Sequence, residues 1–198
     1  MNRPDLILAS SSPARRELMT RLKVPFRAVS PEVDETPLPG ESPEELVLRL
    51  AEAKARAVAE RHPAALVIGS DQVAVMEGAI VGKPGSHEKA VQQLQAASGN
   101  RITFHTGLCL FNPERGSIQL ERIPSIVWFR RLHPQQIENY LRKEQPYGCA
   151  GSFRSEGLGI TLIERLEGDD PNALVGLPLI RLVRMLEQEG FDLLAADD

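Results

Sequence analysis

A lysine interrupts the apolar face of a predicted helix. Residues 42–61 have helical periodicity, with Leu46, Leu50 and Ala57 on one face, yet Lys54 falls in the middle of that face. Burying an unpaired ammonium group costs several kcal/mol, so a lysine is rarely placed there for stability alone. We therefore expect Lys54 to meet an anion in a cleft. The alternative is a side chain that runs along the helix surface to reach water.

Three consecutive serines precede another predicted helix, which begins near Pro13. Ser10 and the two serines after it can bind phosphate oxygens together with the free backbone N–H groups of the helix start. Arg15 and Arg16 follow in the first turn, where the helix dipole disfavours cations. A bound phosphate would relieve that repulsion and accept forked hydrogen bonds from the guanidinium groups. The alternative is a capped surface helix with two solvated arginines.

Carboxylates stand at two positions suited to hard metal ions. Asp71 follows the apolar run 65–68, and open α/β sheets collect ligands at the carboxyl ends of their strands. Glu32 and Glu35 lie in an acidic stretch and could supply further oxygen ligands for Mg²⁺ or Mn²⁺. Lys83, in an extended segment, could reach a phosphate. Taken singly, these residues also fit a turn aspartate, a solvated acidic loop and a surface lysine.

Strands and helices alternate along the chain. Strands are predicted at 6–9 and 65–68, and two or three antiparallel strands at 101–129 with a turn near Asn112. Helices are predicted from residue 13 and at 42–61, 87–97, 134–142 and 178–189, and residues 148–159 are predicted to form a loop or tight hairpin. The fold class is therefore α/β, and one domain is expected over residues 1–198.

The composition excludes several classes of protein. The 198 residues carry a formal net charge of -4, whereas a face that binds nucleic-acid polymers needs a basic surplus. No apolar run approaches the roughly 20 residues that cross a bilayer, and the first apolar stretch is too short for a secretion signal, so we expect a cytoplasmic protein. Cys109 and Cys149 are expected to be buried free thiols.

Seven segments, in order, resemble the Maf family of nucleotide pyrophosphatases, also described as septum-formation inhibitor-like proteins. They are LILASSSPARRELM, PEVDETP, RLAEAKA, IGSDQV, VGKP, CAGSFRSEG and VGLPL. The resemblance implies an elongated mixed sheet flanked by helices, with two lobes around a deep nucleotide-binding cleft. It also implies hydrolysis of nucleoside triphosphates to the monophosphate and pyrophosphate with a divalent cation, and it is compatible with a homodimer. The matching cleft residues are Ser10, Arg15, Glu35, Lys54, Asp71 and Lys83, with Asp71 as proton acceptor.

Two positions indicate which base is bound. Gln72 and Glu156 are similar to the subgroup that acts on 7-methyl-GTP. Guanine presents N1–H and its 2-amino group side by side, so one carboxylate can accept both, whereas uracil and thymine suit an amide better. Methylation at N7 leaves the ring cationic, which adds attraction to the same carboxylate. Ala14 departs from the subgroup, which resembles Ser-Pro-Trp-Arg-Arg here, and the lost contact could be replaced by a ring such as Phe153.

The predicted reaction is cleavage of 7-methyl-GTP between its α- and β-phosphates. Glu35 and Asp71, joined by Glu32, would hold the metal. The phosphates would be bound by Ser10, Arg15, Arg16, Lys54 and Lys83. Two other functions remain open from the sequence: a pyrophosphatase for UTP, dTTP or another noncanonical nucleotide, and a regulator of septum formation that binds a nucleotide without cleaving it.

Overall fold

Strands of mixed direction form the centre of the computed structural model, which describes residues 4–195. Within that range the strand order is β2-β1-β3-β5-β6-β7, and β4 pairs with β3. The strands are β1 (Leu6–Ala9), β2 (Arg27–Val29), β3 (Leu66–Met76), β4 (Ala79–Val81), β5 (Arg101–Asn112), β6 (Ser117–Phe129) and β7 (Ile163–Glu167). The flanking helices are α1 (Pro13–Thr20), α2 (Pro43–Ala59), α3 (His87–Ala97), α4 (Pro134–Glu144) and α5 (Leu179–Gln188). The predicted α/β class, with a mixed sheet flanked by helices, is confirmed.

Side-chain caps fix where the two helices nearest the site begin. Ser12 caps α1 by accepting a hydrogen bond from the backbone N–H of Arg15 at 3.4 Å. At the start of α2, Ser42 Oγ accepts from Glu45 N at 3.2 Å, and the Glu45 carboxylate accepts from Ser42 N at 2.9 Å. This reciprocal capping box satisfies N–H groups that the helix itself leaves unpaired. Both helix starts were predicted from the sequence and are confirmed.

One edge of β3 is open between two short partner strands. β1 pairs in parallel with residues 66–69, and β4 pairs antiparallel with residues 74–76 on the same edge. In the described part of the chain, no strand pairs with residues 70–73 on that edge, although β5 pairs with them on the other. We call residues 70–73 the β3 gap. The chain leaves β1 at Ser10 and leaves β4 toward Lys83, so both residues border the gap.

Helix α2 lies unusually close to the sheet beside the β3 gap. A Cβ atom on Gly69 would lie 2.0 Å from the carbonyl oxygen of Ala51, and one on Gly107 would lie 2.1 Å from that of Val47. Only glycine allows the helix backbone to approach β3 and β5 in this way. This close packing brings the buried face of α2, including Lys54, down onto the strand that carries Asp71.

The apolar core consists of separate clusters that lie in two lobes. In one lobe, α1 and α5 pack on one face of β1 and β3, and α2 packs on the other. In the second lobe, α3 and α4 pack around the distal parts of β5 and β6. The cleft lies between the serine loop of the first lobe and residues 148–156 of the second. This arrangement agrees with the predicted two lobes.

Several element boundaries differ from the predictions. The strand predicted at 65–68 continues through Asp71 to Met76, so the expectation that it ends at Asp71 was wrong. Residues 101–129 form two long strands, and the predicted turn follows Asn112. Short 3₁₀ segments occupy 150–152, inside the loop predicted at 148–159, and 158–162, at its end. Cys109 is buried as expected, whereas Cys149 is only half-buried; both thiols are free. Within residues 4–195, no helix has the length and apolar character of a membrane span.

Candidate active site

A cleft of about 530 Å³ opens at the β3 gap and brings together most of the predicted site residues. Those that line it are Ser10, Ala14, Arg15, Glu35, Lys54, Asp71, Gln72, Lys83 and Glu156. Arg16 and Glu32 are exposed and do not line it. The lining therefore holds three cationic and three acidic side chains. A second cavity, of about 780 Å³, is lined by none of the predicted site residues.

Lys54 joins two carboxylates at the α2 side of the cleft. Its ammonium group lies 2.7 Å from Asp71 Oδ1 and 2.6 Å from Glu35 Oε1. The Lys54 side chain is 7% exposed and that of Asp71 is 11% exposed, whereas the Glu35 side chain is 58% exposed. The hydrogen bond from Lys54 is the main reason that the pKa of Glu35 lies below its usual value. The anion predicted to meet Lys54 is thus present within the protein itself.

Arg15 is anchored by a backbone carbonyl on the face of the sheet opposite to Lys54 and Asp71. Its Nε donates to the carbonyl oxygen of Gly176 at 2.7 Å. Burial lowers the pKa of the guanidinium group, and the carboxylates of Asp71 and Glu35 oppose that shift. Arg15 therefore lies within the electrostatic reach of both carboxylates, with one donor fixed by the backbone and others left for a ligand.

Gln72 faces away from Asp71, because neighbouring residues of a strand point to opposite faces of the sheet. Its Nε2 donates to the carbonyl oxygens of Ala173 and Leu174 at 2.8 and 3.1 Å, and to Thr106 Oγ1 at 2.9 Å. Thr106 in turn donates to Ala173 O at 2.9 Å. Since carbonyl oxygens can only accept, this network fixes the amide orientation. The acceptor Oε1 is then the part of Gln72 suited to a donor on a base.

Glu156 enters the cleft from the second lobe and has a cationic neighbour. Arg154 Nε donates to Glu156 Oε1 at 3.2 Å, while Arg154 Nη1 donates to Glu144 Oε1, also at 3.2 Å. The Glu156 side chain is 32% exposed. Its carboxylate can therefore be reached by a ligand, but it starts from an ion pair with Arg154.

Two aromatic rings line the cleft near the predicted base-binding residues. The centroid of Phe153 lies 5.3 Å from that of Phe129 and 6.0 Å from that of Phe104. Phe153 and Phe104 are only 5% and 2% exposed, so they form part of the wall. They do not project into the cleft as a large side chain at Ala14 would.

The predicted metal ligands are only partly brought together. Glu35 and Asp71 share Lys54, but Glu32 lies outside the cleft lining. Among the residues that the structure describes, no group of three or more His, Cys, Asp or Glu side chains is placed to hold a metal ion. Two carboxylates nevertheless fit Mg²⁺, which proteins usually bind with one or two carboxylates plus the phosphates of a substrate. The donor set therefore fits an ion that arrives with a nucleotide.

Sequence reasoning missed the loop that holds Arg15 and Gln72. Carbonyl oxygens of Ala173, Leu174 and Gly176 accept their hydrogen bonds, and Ser70 Oγ also donates to Gly176 O at 2.8 Å. Backbone acceptors leave no trace in residue types. Of these three residues, only Gly176 lies in the VGLPL segment, to which the resemblance assigned no role.

Comparisons with known proteins agree with the resemblance found in the sequence. The family model described as Maf-like protein matches residues 5–189. A protein of Nitrosococcus oceani named 7-methyl-GTP pyrophosphatase is 62% identical over 191 residues, which cover 96% of each chain. A protein of Methylobacillus flagellatus with the same name is 56% identical over 191 residues, covering 96% of this chain and all of that one. Among solved structures, a HAM1 protein from Coxiella burnetii matches with a TM-score of 0.46 and 15% identity, over 66% of this chain and 75% of that chain.

Proposed function

The chain belongs to the Maf family, and on that basis we propose that it hydrolyses 7-methyl-GTP to 7-methyl-GMP and pyrophosphate. The proposal rests on the side chains that line one cleft. Arg15, Lys54 and Lys83 line it together with Gln72 and Glu156, which can accept hydrogen bonds from a guanine base. A cytoplasmic location, as expected from the sequence, suits such a nucleotide substrate.

The cationic side chains and the serine loop would bind the triphosphate. Arg15 has one donor fixed on Gly176 and presents its remaining guanidinium donors to phosphate oxygens. Ser10 and the start of α1 border the same cleft and add hydroxyl and backbone donors. Lys83 is exposed on the opposite side of the β3 gap, where it can neutralise charge on the leaving pyrophosphate.

Asp71 would accept the proton of the attacking water. Lys54 occupies Asp71 Oδ1, which leaves Oδ2 for the water. As the water oxygen forms a bond to the α-phosphorus, the bond from that phosphorus to the bridging oxygen breaks, and its electron pair leaves with pyrophosphate. A positioned general base contributes roughly 10²- to 10⁴-fold to such a step. In the structure, the hydrogen bond from Lys54 holds the Asp71 carboxylate in one orientation.

Glu35 and Asp71 would hold a divalent cation, Mg²⁺ or Mn²⁺, together with phosphate oxygens of the substrate. When bound, the ion would neutralise phosphate charge and polarise the α-phosphate. The ammonium group of Lys54 lies 2.6 Å from Glu35 Oε1 and 2.7 Å from Asp71 Oδ1, so it would compete with a divalent ion for these carboxylates. Phosphate oxygens of the nucleotide would supply the further ligands that such an ion needs.

Base selection would combine Glu156 with Gln72 Oε1. A carboxylate accepts both guanine donors on the Watson–Crick edge, and the positive charge of N7-methylguanine draws Glu156 away from Arg154. A neutral base offers no such charge. The ion pair of Glu156 with Arg154 therefore favours the methylated base over the base of ordinary GTP.

Pyrophosphate release from a panel of nucleoside triphosphates tests the proposal directly. We expect steady turnover of 7-methyl-GTP with Mg²⁺ or Mn²⁺, at a higher kcat/KM than for GTP, UTP and dTTP. A preference for UTP or dTTP would assign the chain to pyrimidine nucleotides instead. Tight binding of 7-methyl-GTP without any pyrophosphate would indicate a nucleotide-binding regulator.

A further inference from the structure

The segment from Asp170 to Pro178, here called the 170–178 loop, contacts two side chains proposed to bind the nucleotide. They are Arg15, here called the phosphate arm, and Gln72, here called the base arm. We propose that Asp170 is a positioning residue which, through this loop, fixes the phosphate-binding Arg15 and the base-facing Gln72 at the same time. The proposal rests on the proposed function for the roles of these two side chains. It assigns a role to a buried carboxylate that the chemistry itself does not use.

The loop supplies only backbone acceptors to the cleft residues. Gly176 O accepts from Arg15 Nε at 2.7 Å, and Ala173 O and Leu174 O accept from Gln72 Nε2 at 2.8 and 3.1 Å. The carbonyl directions depend on the loop conformation as a whole. A shift of the loop would therefore move the phosphate arm and the base arm together.

Asp170 sets that conformation from a position that is 1% exposed. Its Oδ1 accepts from the backbone N–H of Asn172 at 3.0 Å and from Asn172 Nδ2 at 3.3 Å. Its Oδ2 accepts from the backbone N–H of Ile180, in the first turn of α5, at 2.7 Å. Pro178 at the N-cap gives α5 no side-chain cap, so Asp170 serves as the cap from eight residues upstream.

The charge of Asp170 also suits this place. A carboxylate at a helix N-terminus is stabilised by the helix dipole, and its two oxygens can satisfy N–H groups on both sides. An asparagine has one oxygen, so its amino group would face the N–H of either Asn172 or Ile180. Asp170→Asn therefore preserves size and shape while it detaches one end of the loop.

Gly176 limits how the loop can adjust. Its φ is +115°, which side-chain-bearing residues rarely adopt, and a Cβ atom there would lie 3.2 Å from Arg15 Nε. Gly176→Ala therefore disturbs the phosphate arm directly. The backbone N–H of Gly176 also donates to Ala173 O at 2.9 Å, the carbonyl that accepts from Gln72, so a change at Gly176 reaches the base arm as well.

Steady-state kinetics with 7-methyl-GTP and UTP tests the coupling. For Asp170→Asn we expect kcat/KM for 7-methyl-GTP to fall about 10²-fold, as for a reacting group misplaced by about 1 Å, and the 7-methyl-GTP to UTP ratio to fall at least about tenfold. For Gly176→Ala we expect kcat/KM to fall with both substrates and the 7-methyl-GTP to UTP ratio to fall as well, because the same loop supplies the acceptors of Arg15 and Gln72. An Asp170→Asn enzyme with normal kcat/KM and normal ratio would overturn the proposal.

Glu189→Gln provides the matched control at the opposite end of α5. Glu189 is also a buried carboxylate that accepts several hydrogen bonds, from Asn112 Nδ2 and Ser117 Oγ at 2.7 Å each and from Gln119 Nε2 at 3.3 Å. Its loss should destabilise the protein without reaching the cleft. Equal changes of the substrate ratio in Glu189→Gln and Asp170→Asn would reduce Asp170 to a structural role.

A measurement without turnover separates this proposal from the proposed function. In ¹⁵N spectra, the Arg15 Nε–H and Gln72 side-chain N–H signals should exchange slowly with water in the wild-type protein. Asp170→Asn should accelerate exchange of both signals at least about tenfold, and Glu189→Gln should accelerate neither. Retained protection in Asp170→Asn would refute the positioning role, whatever the substrate is. If the wild-type protein released no pyrophosphate, the proposed function would be refuted. The N–H exchange rates would still decide whether Asp170 positions the loop.

Discussion

Replacing Lys54 by methionine tests the buried charge cluster on which the active-site argument depends. The ammonium group lies 2.6 Å from Glu35 Oε1 and 2.7 Å from Asp71 Oδ1, so Lys54→Met leaves two carboxylates without the cation that hydrogen-bonds to both. Methionine fills a similar volume, so a cavity is not the dominant effect. The variant therefore isolates the loss of charge compensation.

The cost can be estimated from the burial of the two acids. Breaking a buried ion pair by removing one partner typically costs about 3–5 kcal/mol. The Asp71 side chain is 11% exposed and fits that case, whereas Glu35 is 58% exposed and adds little. We expect the lower end, about 3 kcal/mol, which for a chain of this size lowers Tm by roughly 6–12 °C. Differential scanning calorimetry at neutral pH measures it.

Divalent metal ions should distinguish this variant from the wild-type protein. Without nucleotide, we expect Mg²⁺ or Mn²⁺ to bind at Glu35 and Asp71 only when Lys54 is absent. At ten times its Kd, a metal ion stabilises a folded protein by about 1.4 kcal/mol, which corresponds here to a rise in Tm of roughly 3–6 °C. Wild-type protein should show no comparable rise until nucleotide is added.

Lys89→Met, at an exposed position on α3, is the matched control and should change Tm little in either condition. Lys54→Met should also lose at least about 10²-fold in kcat/KM, since it removes an electrostatic contact in the cleft. A variant as stable as the wild type would refute the role of Lys54 as the compensating cation. Stabilisation of wild-type protein by metal alone would refute the claim that Lys54 competes with a divalent ion for these carboxylates.

Four further substitutions test the proposed catalytic residue, the recognition of the nucleobase and the stability of the protein at acid pH. Asp71→Asn should lower kcat by about 10²- to 10⁴-fold, because it removes the proposed general base, while nucleotide binding, measured by calorimetric titration, persists; normal activity would remove Asp71 from catalysis. Glu156→Gln should shift the kcat/KM ratio from 7-methyl-GTP toward UTP and dTTP. An unchanged ratio would contradict recognition of the guanine Watson–Crick edge by Glu156. Ala14→Trp should lower KM for 7-methyl-GTP more than for UTP by adding a ring to the cleft, whereas equal changes would place the new ring outside the base site. The hydrogen bond from Arg49 lowers the pKa of Glu41 to about 2. The ion pair therefore stabilises the protein above the usual glutamate pKa of 4.5, and this contribution disappears as the pH falls toward 2. Glu41→Gln should flatten the acid side of the Tm–pH curve, and an unchanged curve would show that this ion pair does not contribute to the pH dependence of stability.

Local sequence patterns predicted the parts of the site that depend on one helix or one turn. Lys54 was identified because helical periodicity alone decides which face of α2 a residue occupies, and it is 5% exposed as a buried-face position requires. The serine cap of α1 and the capping box of α2 were found for the same reason. Their hydrogen bonds join residues only three apart.

The rest depends on pairing between distant segments, which no local pattern encodes. The sequence indicated a strand that stops near Asp71, but β3 continues to Met76 because β5 and β4 supply partners for its second half. Arg16 was grouped with Arg15 by their adjacency, yet successive helical residues lie about 100° apart and only Arg15 turns toward Gly176. Glu32 is likewise separated from Glu35 by the path of an irregular loop.

The β3 gap also constrains how base and phosphate recognition can be combined. Asp71 and Gln72 are adjacent in the chain, so strand geometry sends their side chains to opposite faces of the sheet at a fixed spacing. A nucleotide that contacts both must pass through the open edge between β1 and β4. Its base then sets how far the triphosphate extends toward Asp71. A wrongly held base would place a different phosphorus, or none, beside the attacking water, and we therefore expect selectivity to appear in kcat as well as in KM.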